Sequence, residues 1–537
     1  MAKGKRKSYF FLVLTISLLI ICILRMLLTH IIGSKGVSYF SVSLETFLLI
    51  AGTISFGLEK SVSVLVENYI DRQQYENAKR VVRGGLLIAL ILCLVTCLLM
   101  LFFGKSICSH LFNVPLSYMS YIVSVPAVVL FIVSGVLRGY FKGTGNKRIN
   151  SFSYLIFVAV FALSGALLSM ALFKYGVKVS MLLRVEDYKY SYGSLGAAFG
   201  LLVASFTVFI YNLIIYIIIN RRTVFENSRD YSKSIESVFY MAFSVLLNAL
   251  FGAGIWFSVF LTPVLNEIIV FSDKESENAL EFVFGEYYGK TQPVIFILAA
   301  LICFTTYSFI RKTIHASLRD ENRVAREKLG RLIHRCLTVG FMTAGFVIAF
   351  ADNILNLFFE EIGASTVSFL QTEAASLVFV VLSAVFIEIM LGLKFDNAAS
   401  IICIISMVVH TLYLLLIVKP FKLSVTGIII GNIIFFLIIC ALSYFVMSRF
   451  FQYTQEWFRN VGVSLIGALV VSIIMLLLNK ALSPVLGKTI TMLVLGFVGI
   501  LIYMVILLAL RGYSEDELEE SIMGRFMLSV GRLFRII

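Results

Sequence analysis

Fourteen apolar runs, each near or above the length needed to cross a bilayer, recur along this chain of 537 residues. A run of roughly 20 apolar residues must satisfy its own backbone polar groups once it is in lipid, and a helix does so locally. The runs lie near 9–32, 39–65, 84–103, 117–141, 151–173, 194–220, 239–271, 291–314, 333–351, 365–391, 398–418, 424–447, 460–479 and 489–510. They predict an all-α polytopic membrane protein of about fourteen transmembrane helices. The longest exceed a single crossing, so tilt or extension past the bilayer is expected. Composition agrees. The chain is 60% hydrophobic and 14% charged, where soluble proteins carry roughly 25% charged residues.

The net charge of +14 does not form a nucleic-acid patch, because the basic residues are dispersed between apolar runs. Lys3, Lys5, Arg6 and Lys7 precede the first run as in a signal peptide, yet that run is too long for an h-region and no small-residue cleavage site follows. It reads as an uncleaved first helix with its N-terminus inside. On that basis 31 Lys and Arg fall on the inner side and 12 on the outer side, as the positive-inside bias predicts. Both termini are then cytoplasmic and the chain lies in the plasma membrane. Inner segments 67–83 and 319–335 look amphipathic and are read first as topology determinants. Outer loop 272–290 is acidic through Asp273, Glu275, Glu277, Glu281 and Glu286, so it either caps an outer mouth or only solvates the loop.

The eight cysteines mostly lie inside apolar runs without a CxxC pair or a histidine cluster. They read as small buried apolar residues, not metal ligands or disulfides. Cys108 alone is expected to face outward. No HExxH, GxSxG or lumenal carboxylate pair is present, and His30, His315 and His410 are isolated. A transporter without cofactor or metal is therefore favoured over an enzyme. A membrane-bound glycosyl- or acyltransferase stays open as an alternative, and a non-transporting scaffold is a further one.

The chain repeats itself weakly. Ser308-Phe309-Ile310-Arg311-Lys312-Thr313 ends the eighth run much as Phe56-Gly57-Leu58-Glu59-Lys60-Ser61 ends the second, and Glu388 to Gly392 ends the tenth much as Gly139 to Gly143 ends the fourth. The similar offsets predict two pseudo-symmetric six-helix bundles in parallel orientation, an arrangement common in transporters. The expected lobes are 1–222 and 223–450, with 451–537 holding helices 13 and 14 and a cytoplasmic tail.

Leu137-Arg138-Gly139-Tyr140-Phe141-Lys142-Gly143 resembles the "LRGYFQG" signature of the polysaccharide-biosynthesis and stage V sporulation protein B branch of the multidrug/oligosaccharidyl-lipid/polysaccharide exporter superfamily. Arg25 ahead of Gly33, and Leu65 to Tyr69 followed by Tyr75 to Arg80, resemble further motifs of that branch, as does Glu515 to Leu518. The resemblance implies two lobes and a polar cavity that takes the headgroup of an undecaprenyl-pyrophosphate-linked sugar or peptidoglycan precursor. The lipid tail stays in the membrane, and the cycle is alternating access. It also implies prolines in helices two and eight, where this chain has Glu45, Glu59 and Arg311. The partners expected are the lipid-linked sugar, membrane lipids and polysaccharide polymerase or glycosyltransferase machinery, with no nucleic acid and a monomeric state. A drug/cation antiporter of the same superfamily is the closest rival.

Ionisable residues inside spans are functional candidates. Arg25 is the first choice for a phosphate ligand, because a guanidinium fork matches phosphate oxygens, although it could also snorkel to outer headgroups. Arg138 is a second substrate candidate. Glu59 and Arg311, of opposite sign at repeat-related places, invite an inter-lobe gate, weighed against pairing within each lobe. Glu45 and Glu388, with Glu267 and Glu373 behind them, are candidates for ion coupling.

Overall fold

The computed structural model describes residues 10–222, 238–271, 277–319, 321–360, 362–513 and 524. The basic N-terminal run, the expected lobe boundary at 222/223, Asp273, Glu275 and Glu515 to Leu518 lie outside the described residues. Among the described residues every regular element is helical.

Twelve helices are long and apolar enough to cross a membrane, and a bent pair, Ala364–Glu373 with Ser376–Gly392, makes thirteen. The first candidate, Phe10–Asp71, runs 62 residues. At 1.5 Å per residue that is about 93 Å, three times the roughly 30 Å hydrocarbon core, so it must cross twice. Its break is at Gly33, whose φ of 71° and ψ of 169° are not helical. Counted as two crossings, it brings the total to the fourteen expected, and the chain is a multi-pass membrane protein.

The chain divides into two compact units. Unit 1 comprises 1–289 and 396–425. It contains α1 (Phe10–Phe47), α2 (Thr53–Asp71), α3 (Tyr75–Ser106), α4 (Tyr118–Gly143), α5 (Lys147–Leu183), α6 (Asp187–Arg222), α7 (Val238–Gly252), α8 (Gly254–Phe271) and α9 (Glu277–Glu286). Three residues of α9's continuation, Tyr287 to Gly289, and, much later in sequence, α14 (Asp396–Tyr413) complete it. Here α5 packs on α6, α4 on α2 and α6, and α14 on α8. A core that includes Leu28, Phe47, Val62, Phe131, Phe157 and Leu201 sits among these helices.

Unit 2 comprises 290–395 and 426–537. It holds α10 (Gln292–Ser317), α11 (Asn322–Phe358), α12 (Ala364–Glu373), α13 (Ser376–Gly392), most of α15 (Ser424–Phe451), α16 (Val463–Leu486) and α17 (Lys488–Ala509). In it α11 packs on α10, α13 and α16, and α16 on α17. Reciprocal amide hydrogen bonds join Asn353 and Asn479 at 2.8 and 3.1 Å. Lys488 pairs with Asp352 at 2.7 Å.

A crowded glycine ends one helix in each unit. In unit 1 a Cβ on Gly143, at the end of α4, would meet Val66 of α2 at 2.7 Å. In unit 2 a Cβ on Gly392, at the end of α13, would meet Ile314 of α10 at 2.5 Å. A Cβ on Gly143 would also meet the Ser63 carbonyl oxygen at 2.8 Å, a backbone approach of the kind small residues allow at helix crossings in membranes, whereas the atoms nearest Gly392 all belong to the Ile314 side chain.

Some local expectations change. The run 239–271 breaks at Ala253 between Gly252 and Gly254, where two glycines lower the cost of leaving the helix. The run 365–391 is bent by 42°. Segment 319–335 is largely the first turns of α11, 37 residues long, so its basic residues ride on the end of a spanning helix. Helix two has no proline; a π-type segment, Leu48–Gly52, carries the irregularity between Glu45 and Glu59 instead. Cys108 does not face outward: it is fully buried in the π-type segment after α3.

Candidate functional site

Unit 1 holds two buried charge clusters, each positioned by a backbone feature. The first depends on the glycines of the Leu137–Gly143 motif. Gly135, Gly139 and Gly143 recur every four residues on α4 and face α2. A Cβ at Gly139 would lie 2.8 Å from the Glu59 carbonyl oxygen and as close to Val62. The two backbones approach at a distance only glycine permits, and this brings Glu59 of α2 beside Arg138 of α4.

Glu59 is 1% exposed. Its Oε1 accepts a hydrogen bond from Asn150 Nδ2 at 2.9 Å and lies 3.4 Å from Lys142 Nζ. Its Oε2 accepts one from the Tyr154 hydroxyl and lies 3.5 Å from Arg138 Nε. Arg138 is completely buried. Its Nη2 donates to Ser55 Oγ, and its guanidinium lies 4.6 Å from the Phe131 ring centre and 4.4 Å from that of Tyr154. Charge, one hydroxyl and two ring faces hold it; Nε and Nη1 make no hydrogen bond. Glu59 therefore takes its cations from α4, within its own unit, which is the arrangement weighed against an inter-lobe gate. These groups would have to release it before it could act in one. Arg311, in unit 2, is half-buried and lies over Tyr307 of its own helix, 5.7 Å from the ring centre. Lys60 pairs with Asp396 at 2.9 Å.

The second cluster depends on the break at Gly33. Arg25 and Glu45 lie on opposite sides of it, and a continuous helix would hold them about 30 Å apart. Instead the Arg25 guanidinium and the Glu45 carboxylate form a short ion pair, so the chain reverses at Gly33. The left-handed φ there favours glycine, which has no Cβ to obstruct it. The pair is sheltered, with side-chain exposures of 13% for Arg25 and 4% for Glu45. The Arg25 guanidinium also lies 5.1 Å from the ring centre of buried Tyr288. Just beyond the break, Ser34 Oγ donates to Glu286 Oε1 at 2.7 Å and Lys35 pairs with Asp187 at 2.8 Å.

Glu267 of α8 completes this cluster. It is fully buried and within electrostatic reach of Glu45 and Arg25. Neither of its oxygens makes a hydrogen bond, and the nearby Ser41 hydroxyl is donated to the Ser38 carbonyl oxygen. The preceding residue, Asn266, contacts His410 of α14 through Oδ1 and Nε2 at 3.0 Å. Of the other carboxylates, Glu388 is half-buried in α13 and Glu373 is 3% exposed at the end of α12. Among the described residues no group of three or more His, Cys, Asp or Glu could hold a metal.

The structure thus gathers Arg25 with Glu45 and Glu267, and Glu59 with Arg138. Sequence reasoning ranked Glu267 below Glu45 and did not single out Tyr154, Asn150 or Tyr288. A polar or phenolic group within a long apolar run was the available signal, but many such residues lie in these runs and no spacing rule selects among them. His410, isolated in sequence, meets its partner only through the packing of α14 on α8.

The MatE family model matches residues 10–168, a stretch that includes Gly33 and the series Gly135, Gly139 and Gly143. Over 518 residues the chain is 21% identical to stage V sporulation protein B of Bacillus subtilis (strain 168), covering 94% of this chain and 95% of that protein. Among solved structures it is similar to the lipid II flippase MurJ in an inward closed conformation, with a TM-score of 0.66 at 13% identity, covering 93% of this chain and 98% of that one. It is also similar to an inward-facing multidrug resistance MATE family transporter, with a TM-score of 0.58 at 15% identity, covering 84% and 96%. The solved structures bear on the fold.

Proposed function

We propose that this chain, a member of the multidrug/oligosaccharidyl-lipid/polysaccharide exporter superfamily, flips an undecaprenyl-pyrophosphate-linked oligosaccharide or peptidoglycan precursor across the plasma membrane. It does so by alternating access, with both termini cytoplasmic, for cell-envelope polysaccharide synthesis. The chain's similarity to a sporulation protein and to a lipid II flippase supports this reading, and the fourteen spans accord with it.

The observation that carries it is the sheltered Arg25–Glu45 pair. A pyrophosphate headgroup cannot enter hydrocarbon unpaired, because burying uncompensated charge is costly. Arg25 offers a fork of donors already neutralised by one carboxylate. A phosphate can exchange with Glu45, so the guanidinium need not be left bare at either end of the cycle. Arg138 is a weaker substrate ligand, because it has no exposed surface; its role is to hold α2, α4 and α5 together through Glu59. Glu45, released by the substrate, and Glu267 beside it are the carboxylates through which a coupling cation would act, ahead of Glu388.

The test is flipping of fluorescent undecaprenyl-pyrophosphate-linked sugars in proteoliposomes, with wild type beside Arg25→Gln and Arg25→Gln/Glu45→Gln. The double variant removes both charges and keeps the local charge balance. If Arg25 binds substrate, both variants lose flipping. Recovery in the double variant would make Arg25 a structural counterion only. The similarity to a multidrug transporter supports a second reading, drug/cation antiport. Uptake of a cationic dye against a proton or sodium gradient, with no flipping of lipid-linked sugars, would favour it.

A further inference from the structure

In unit 1, α2 and the span made by α7 and α8 lie side by side in antiparallel register. A Cβ on Gly52 would meet the Phe260 ring at 2.6 Å, and one on Gly252 would meet the Lys60 side chain at 3.1 Å. Between these two levels the buried Phe56 ring stacks on the indole of Trp256, with centres 3.9 Å apart and planes 12° from parallel. Phe56 also stacks on Tyr154 at 5.3 Å, and the Tyr154 hydroxyl donates to Glu59. The indole is therefore fixed by rings that are rooted in the buried Glu59 network.

Only one of its faces is spent. Phe260 lies 5.8 Å from Trp256 and 6.4 Å from Phe56. Rings on opposite faces of one indole are separated by two van der Waals layers, about 7 Å or more, so Phe260 does not cover the second face. Among the described residues no other ring packs on Trp256 and its indole N–H makes no hydrogen bond. The side chain is partly exposed. An open aromatic face and an unused donor are held side by side.

One turn along the same register lies an ion pair. Lys60 follows Phe56 by four residues, about 6 Å along α2. It pairs with Asp396, at the start of α14, at 2.9 Å, and the two side chains are 30% and 31% exposed. A partly exposed ion pair requires polar surroundings, because charge facing hydrocarbon is costly. This side of unit 1 is thus a polar one that carries a bare indole.

A pyranose ring matches it. The axial C–H groups of a sugar form an apolar face of slight positive charge, and an aromatic face is the negative part of its quadrupole. Sugar hydroxyls donate to a carboxylate and accept from an ammonium, and charged partners make those bonds the strong ones. A hydrocarbon chain could use the indole but would strand the ion pair, and a phosphate would be repelled by Asp396.

We propose that Trp256, with Lys60 and Asp396, is the subsite for one sugar ring of the transported headgroup. The assignment rests on the flipping reading and gives the sugar a place separate from the pyrophosphate on Arg25.

The chain has two tryptophans, so Trp457→Phe leaves Trp256 as the sole indole reporter. The full-length Trp457→Phe protein in detergent is titrated with undecaprenyl pyrophosphate bearing one N-acetylglucosamine, and with undecaprenyl pyrophosphate alone. Retention of radiolabelled lipid measures binding independently of fluorescence. The sugar-bearing lipid is expected to move Trp256 emission to shorter wavelength, and the sugar-free lipid to leave it unchanged. Trp256→Leu and Asp396→Asn are each expected to weaken binding of the sugar-bearing lipid by about tenfold, the scale of one good contact, and to leave the sugar-free lipid unaffected. Trp256→Phe, which keeps a ring face, is expected to lose less. Equal weakening of both lipids in Trp256→Leu and Asp396→Asn would overturn the proposal by making these residues structural. Unchanged Trp256 emission at saturation with the sugar-bearing lipid would overturn it too. Binding of neither lipid by the wild type would overturn the flipping reading, and the subsite with it.

Discussion

Replacing Glu59 by Gln removes the negative charge at the centre of the α2–α4–α5 network and leaves the buried Arg138 cation with no carboxylate. The two charges are 3.5 Å apart. At an effective dielectric of 20 their attraction is roughly 5 kcal/mol. Lys142 adds little, because its side chain is 35% exposed and its pair is screened. A glutamine can still accept from Tyr154 or Asn150, and Arg138 keeps its two ring faces and the Ser55 hydroxyl. The net cost is therefore expected near the 3–5 kcal/mol typical of breaking a buried pair. Glu59→Gln should lower the midpoint of SDS-induced unfolding in mixed micelles accordingly. Arg138→Met should also destabilise, by a smaller amount, because Glu59 loses its one fully buried cation but keeps Lys142 and its hydrogen bonds from Asn150 and Tyr154. The double variant Glu59→Gln/Arg138→Met should cost clearly less than the sum, with a coupling of about 2 kcal/mol or more. Additive losses would refute the argument, since they would mean that neither charge depends on the other. Two near-neutral single variants would refute it equally, by showing that water reaches the network.

Other consequences are also open to measurement. Gly139→Leu should disrupt the α2–α4 contact by about 1–3 kcal/mol or more, read as a loss of thermal stability, because its Cβ alone would fall 2.8 Å from the Glu59 carbonyl oxygen. Gly33→Ala should destabilise by about 1–3 kcal/mol from the left-handed backbone it must adopt. It should also reduce cross-linking of a cysteine pair engineered at positions 25 and 45 in a cysteine-free background, whereas unchanged cross-linking would show that the reversal does not depend on glycine. Cys108 should resist a membrane-impermeant maleimide in intact cells and react after denaturation; rapid labelling of the native protein would contradict its burial. Asn479→Leu should cost roughly 1 kcal/mol, the scale of interhelical polar contacts in membranes, and the loss should shrink in an Asn353→Leu background because the two amides bond each other.

The sequence alone determined the fold class and the number of crossings. Lipid offers no hydrogen bonds, so each long apolar run must close its own backbone bonds as a helix, and that requirement is local. The glycine motif at 137–143 and Gly33 were legible as features too, since a missing side chain shows in any sequence. Their purposes were not. That Gly139 brings Glu59 onto Arg138, and that Gly33 folds Arg25 back onto Glu45, depends on which helix lies beside which and at what distance. Charge pairing is short-ranged in its geometry and indifferent to separation along the chain. Glu59 could be matched with Arg311 on paper, yet it meets Arg138, Lys142, Asn150 and Tyr154 because α4 and α5 are the helices packed around it.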